Sequence, residues 1–163
     1  MSVTVFLGSE SDFDVIEGGL DILKDFGVPF TLEVTSAHRS PERTLRLVRE
    51  AEARGTAVFI AVAGKAAHLA GVVAAHTVRP VIGVPVDSAS LGGMDALLST
   101  VQMPKGIPVA TVALGKAGGA NAALLAVEIL ALGDAALREK LVAHRKKMAE
   151  KVEANSRKLQ EKI

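Results

Sequence analysis

The stretch "AVFIAVAGKAAHLAG", residues 57–71, begins with seven consecutive apolar residues and then breaks into glycine, lysine and histidine. A run that short and that uniformly apolar reads as a strand buried on both faces, and burial on both faces belongs to a parallel sheet. Two further runs, "VTVFL" (3–7) and "PVIGVPV" (80–86), repeat the pattern, and "PVATVAL" (108–114) adds a fifth strand. The remaining one differs. In "FTLEVT" (30–35) Phe30, Leu32 and Val34 alternate with Thr31, Glu33 and Thr35, the mark of an edge strand.

Helical signals separate the strands. Ser9, three residues before Asp12, reads as a capping box, and Ile16, Leu20 and Leu23 then share one face until Gly27 and Pro29 stop the helix. Ser40-Pro41 starts a second helix, with Leu45 and Val48 inward and Gly55 at its end. A third is expected around Leu69 to Thr77, a fourth on "GGMDALLSTV", and a fifth over Ala120 to Leu132. From Asp134 to Ile163 a charged amphipathic helix carries Leu137, Leu141, Met148, Val152 and Leu159 at helical spacing. Such alternation predicts an α/β chain: a three-layer, doubly wound parallel sheet, flavodoxin-like, in the order 2-1-3-4-5, with a long C-terminal helix.

The 163 residues fit one domain, which at this size buries roughly 70% of the unfolded chain's surface. Aromatics make up only 3% of the chain, so Ala, Val, Leu and Ile must fill the core. There is no cysteine, hence no disulfide or thiolate metal site. A net charge of +1 is too balanced to point to nucleic acid or an anionic membrane. No secretory leader or membrane-spanning run is visible, so a cytoplasmic protein is expected.

In an open parallel sheet, ligands sit beyond the carboxyl ends of the strands, where the strand order reverses. The residues there read "GSESD", "SAHRSP", "GKAAHLAG", "DSASLGGMD" and "GKAGGAN". Gly8, Ser9 and Ser11 precede a helix, a place whose N–H groups favour an anion such as phosphate; that the serines only cap the helix stays open. Arg39 in the next loop offers a guanidinium to the same anion. His38, beside it in a polar loop, is placed for acid/base work, or simply for a bond to backbone. His68 opens an apolar helix, His76 reads as a core or interface residue, and His144 as solvated. No ligand spacing supports a metal.

In order along the chain, "GSESD" (8–12), "SAHRSPER" (36–43), "AGKAAHLAG" (63–71), "PVIGVPV" (80–86) and "DALLSTVQMPKGIPVATVALGKAGGANAALLA" (95–126) resemble the AIR carboxylase family of purine biosynthesis, in its 5-(carboxyamino)imidazole ribonucleotide mutase branch. The resemblance implies a homo-octamer with sites at subunit junctions. It also implies a carboxylate moved from the exocyclic nitrogen of a ribonucleotide to ring carbon C4 through bound carbon dioxide, with no metal or organic cofactor. Carried over by position, His38 is the proton-transfer group. Gly8, Ser9, Ser11, Asp12, Ser36, Ala37 and Arg39 bind the ribotide, with Arg39 on its phosphate. Gly64, Lys65, Ala66, Ala67, His68 and Leu69 form the loop over the base and carbon dioxide. The chain departs from the family at Lys65, usually glycine, and at Ala70, usually proline.

The nearest alternative is a direct carboxylase, which takes free carbon dioxide onto aminoimidazole ribonucleotide and tends to carry a basic residue at position 65. A non-enzymatic flavodoxin-like module is a poorer fit. A phospho-accepting receiver needs an aspartate where this chain has Ala63-Gly64, flavin lacks a Trp or Tyr to stack on, and Gly-x-Gly-x-x-Gly is missing after the first strand. An inactive relative serving as an assembly subunit is the remaining alternative.

Overall fold

A computed structural model describes residues 1–87 and 91–163; the fourth strand-end loop of the sequence reading therefore falls partly, at 88–90, outside the described residues. The order of elements is β1 (Ser2–Leu7), α1 (Phe13–Phe26), β2 (Phe30–Val34), α2 (Pro41–Ala53), β3 (Thr56–Gly64), α3 (Leu69–Ala74), β4 (Val81–Val86), α4 (Met94–Val101), β5 (Ala110–Thr111), α5 (Gly115–Ala131) and α6 (Ala135–Gln160). The five strands form one parallel sheet in the order β2-β1-β3-β4-β5, as the apolar runs predict.

Successive side chains of a strand point to opposite faces, so each central strand feeds two cores. Val3, Val5, Val58, Ile60 and Ile82 pack under α1, α5 and the start of α6. Phe6, Phe59, Ala61 and Val81 pack under α2 and α3, with the Phe6 and Phe59 rings stacked at 5.7 Å. Helices α1 and α5 touch backbone to backbone. A Cβ at Gly19 would meet the Gly119 carbonyl, and one at Gly119 would collide with the carbonyl of Val15. The signal for α1 holds to its end: Gly27 adopts φ 74, and its N–H bonds the carbonyls of Leu23 and Lys24.

Several local expectations give way to tertiary context. Along β2 the alternation fails at its end, where Val34 is 46% exposed at the open edge and Thr35 only 2%. Thr35 is buried because its hydroxyl meets that of Thr44 on α2 at 2.8 Å, while its N–H still bonds Leu7. The fifth strand shrinks to two paired residues, because Pro108 lacks a ladder N–H and the chain turns at Gly115, φ 65. Helix α5 starts at Gly115, not Ala120; close packing of Gly118 and Gly119 outweighs their poor propensity. Helix α3 stops at Ala74, short of Thr77.

His76 is exposed, not in the core of the chain, and its Nδ1 lies 2.8 Å from the Val72 carbonyl. His144 is half-buried against the Phe26 ring, with centroids 5.6 Å apart, and is not solvated as expected. Asp134 caps α6 by accepting from the Leu137 N–H at 3.0 Å. Only Leu137 and Leu141 of its apolar stripe are buried; Met148, Val152 and Leu159 stay exposed. No helix among the described residues is long and apolar enough to cross a membrane.

Candidate active site

Three strand ends build one cleft. After β1, the Gly8 N–H reaches across to the Val62 carbonyl at 2.9 Å, which draws this turn toward β3. Ser9 then opens a single 3-10 turn, Glu10–Asp12, ahead of α1. Its hydroxyl accepts from the Ser11 hydroxyl at 2.9 Å and more weakly from the Ser11 N–H at 3.4 Å. Behind the serines Asp12 is 7% exposed. Burial pushes its carboxyl above the usual range; the Ser9 N–H, the Ser11 hydroxyl and the Arg39 guanidinium pull the other way without cancelling it.

The loop after β2 is closed on itself. Ser40 accepts from the Ser36 N–H at 3.1 Å and donates its hydroxyl to the Ser36 carbonyl at 3.2 Å, so the expected helix cap is spent inside the loop. Pro41 does occupy the first turn of α2. Ser36 Oγ in turn accepts from the Arg39 N–H at 3.1 Å. This frame holds His38 and Arg39 outward. Arg39 Nη2 donates to the Gly8 carbonyl at 3.2 Å, and that bond joins the first loop to the second.

A histidine pair joins the second loop to the third. His38 Nε2 and His68 Nδ1 stand 2.8 Å apart, with the rings edge to face at 82° and centroids 5.0 Å apart. One nitrogen donates and the other accepts, the direction set by the tautomers of the two rings. The third loop is tightly wound, with N–H bonds from Ala67 to Lys65 and from His68 to Ala66, each 2.8 Å.

The cleft enclosed by these loops measures about 710 Å³. Gly8, Ser9, Ser11, Asp12, Ser36, Ala37, His38, Arg39, Gly64, Lys65, Ala66 and Leu69 all line it. Ala67 does not; its methyl is buried in the core beside Leu69. His68 is not among the lining residues and reaches the site through His38. The "GKAGGAN" residues form the first turns of α5 and do not line the cleft, although Gly115 lies against the Asp87 carboxylate.

Ala63, Val86 and Asp87 complete the wall and were not assigned to the site from sequence, although Asp87 opens the "DSASLGGMD" stretch of the rim. Asp87 had a usable signal, being the first residue beyond β4 on the same rim. Among the described residues no group of three or more His, Asp or Glu is arranged to hold a metal ion. A guanidinium, an ammonium, two carboxylates and an imidazole pair around an open cleft suit a small anionic ligand and a proton transfer.

The family model for AIR carboxylase matches residues 2–151. A relative from Methanocaldococcus jannaschii, named N5-carboxyaminoimidazole ribonucleotide mutase, is 54% identical over 159 residues, covering 98% of each chain. The Escherichia coli protein of the same name is 49% identical over 153 residues, 94% of this chain and 90% of that one. Among solved structures, a Treponema denticola PurE superposes with a TM-score of 0.87 at 31% identity, over 96% of this chain and 97% of the other.

Proposed function

Because the chain belongs to the AIR carboxylase family, we propose that it is a 5-(carboxyamino)imidazole ribonucleotide mutase, an isomerase of purine biosynthesis. The observation that carries the reading is the convergence of His38, Arg39, the Gly8–Asp12 turn and the Gly64–Leu69 loop on one cleft.

The proposed chemistry follows from that arrangement. The bond from the exocyclic nitrogen to its carboxylate breaks as that nitrogen takes a proton from the protonated His38 ring, leaving carbon dioxide and an amine. Ring carbon C4 attacks the carbon dioxide, and the C4 proton leaves to His38. The nitrogen gains one proton and C4 loses one, both by way of His38, so the net change exchanges a carboxylate and a proton between the nitrogen and C4, and no redox partner is needed. An imidazole suits the step because it exchanges a proton near neutral pH. The bond to His68 fixes the ring that must meet C4. Carbon dioxide is apolar, and the Ala63, Ala66 and Leu69 side of the cleft offers it apolar contact. Arg39, already anchored on Gly8, is assigned the phosphate, with Ser9, Ser11 and Asp12 beside it.

Supplying purified protein with either ribotide, with and without bicarbonate, tests the reading. Conversion of the carboxyamino compound without added bicarbonate is expected. Turnover only from aminoimidazole ribonucleotide plus bicarbonate would overturn the mutase in favour of a direct carboxylase.

The proposal extends to a single catalytic unit over 1–163 working as a cytoplasmic homo-octamer. Exposed Leu91, Met94, Leu98 and Val101 around α4, and Met148 and Val152 on α6, support large contacts between copies. A groove of about 530 Å³ between α5 and α6, lined by Leu124, Leu125 and Leu141, adds to that surface. Light scattering of the purified protein checks the octamer; a monomer at micromolar concentration refutes it.

A further inference from the structure

Lys65 is the one non-glycine residue among the described residues whose backbone lies in the left-handed region, at φ 56. A Cβ there costs free energy that glycine avoids, and such outliers persist where the surroundings impose them, often at ligand clamps. The position is on the rim of the cleft, directly after β3, and the side chain is exposed. No carboxylate among the described residues pairs with it within 4 Å. An exposed cation with no carboxylate within 4 Å, set on a left-handed turn at the mouth of the cleft, is placed to meet a charge on a ligand.

The ligand of the mutase reading carries two separate anionic groups, a phosphate and a carboxylate. The cleft carries two cations on different loops. Arg39 is tied to the first loop through Gly8 and lies near Asp12, on the side assigned to the phosphate. Lys65 belongs to the third loop, with Ala66 and Leu69, the segment that faces the reacting end of the ligand in that reading.

We infer that Lys65 is a specificity residue for the migrating carboxylate: its ammonium pairs with that group in substrate and product, and so distinguishes carboxylated from decarboxylated ribotide. This rests on the mutase reading. Lysine suits the role because its point charge on a flexible stem can follow a carboxylate that changes its attachment, where a rigid fork would favour one position.

Calorimetry on the intact protein tests it, with 4-carboxy-5-aminoimidazole ribonucleotide and aminoimidazole ribonucleotide as the two probes. The parent is expected to bind the carboxylated probe more tightly. Lys65→Met should weaken that binding by about tenfold or more, the scale of a lost hydrogen bond to a charged group, and leave the decarboxylated probe unchanged. Lys65→Gly should lose the same preference while its melting temperature rises, because the strained backbone is relieved; Lys65→Arg should keep part of the preference. Equal weakening of both probes would move Lys65 to the phosphate, and no change in either would remove it from the site; each result overturns the inference. A parent that binds neither probe sinks the mutase reading itself, a result distinct from both.

Discussion

The α1–α5 seam and the strand-end cleft are built from the same small residues for opposite ends. At the seam, Gly19 and Gly119 let two helix backbones touch, and an added methyl would meet a carbonyl that cannot step aside. In the cleft, a methyl on Gly8 would lie 3.3 Å from the Ala63 methyl, and one on Gly64 3.3 Å from the Val86 Cβ. Those contacts are tight but meet side chains at the edge of open space. One region uses glycine to close a gap, the other to keep one open. Stability belongs to the first and, in the proposed reading, chemistry to the second, so a substitution in either should move one property and spare the other.

The largest separation is expected at His38. His38→Asn keeps a polar group in the loop but removes the acid/base function proposed for it, and kcat should fall by a factor on the order of 10²–10⁴ while ribotide affinity and melting temperature hold. Near-parental turnover would refute its role. Arg39→Ala should weaken ribotide binding by ~1.5–3 kcal/mol in a titration, with the fold intact by circular dichroism. Unchanged affinity would take the phosphate away from Arg39.

On the other side of the comparison, Gly119→Ala should cost about 1–3 kcal/mol of unfolding free energy by overpacking the seam. Its control lies on α1 itself. Gly18 has nothing within 4 Å of where a Cβ would stand, so Gly18→Ala should stabilise by about 0.5–1 kcal/mol through helix propensity. Chemical denaturation that finds both variants alike would mean the seam is looser than described.

Asp12 gives the smallest effect and sits where the two regions meet, buried behind the cleft. Its pKa is raised in the folded state, chiefly by burial, so the folded protein holds that proton more tightly than the unfolded chain. Stability from this group is therefore present at acid pH and lost as pH rises through the folded pKa. Asp12→Asn should be modestly more stable than the parent at neutral pH, with the gap closing on acidification. A gap that widens in acid would reverse the assigned cause.

Much of this was legible in the residues. Nearly continuous apolar runs at 3–7, 57–63 and 80–86 specified central parallel strands, and the alternating 30–35 run specified an edge, because burial on one face or two leaves different periods. With the order of strands came the rim, and with the rim nearly every lining residue of the site. The errors lie where contact with one particular partner decides. Thr35 is buried because Thr44 waits for its hydroxyl, and His144 is covered because Phe26 lies beneath it. Ser40 spends its hydroxyl on Ser36, and Asp87 joins the cleft only because β4 ends beside β3.

What the sequence determined by itself was the set of elements, their order in the sheet and the kinds of side chain brought to one edge. Periodicity and turn chemistry are local, and they survive without knowledge of the whole. What only the tertiary structure decided was pairing: that His38 meets His68 at 2.8 Å across thirty positions, that two helices meet through Gly19 and Gly119, and that Lys65 is held at a backbone angle lysine rarely adopts. The reason is physical. Contact and strain depend on what occupies the same few ångströms, and no local pattern in the chain records that.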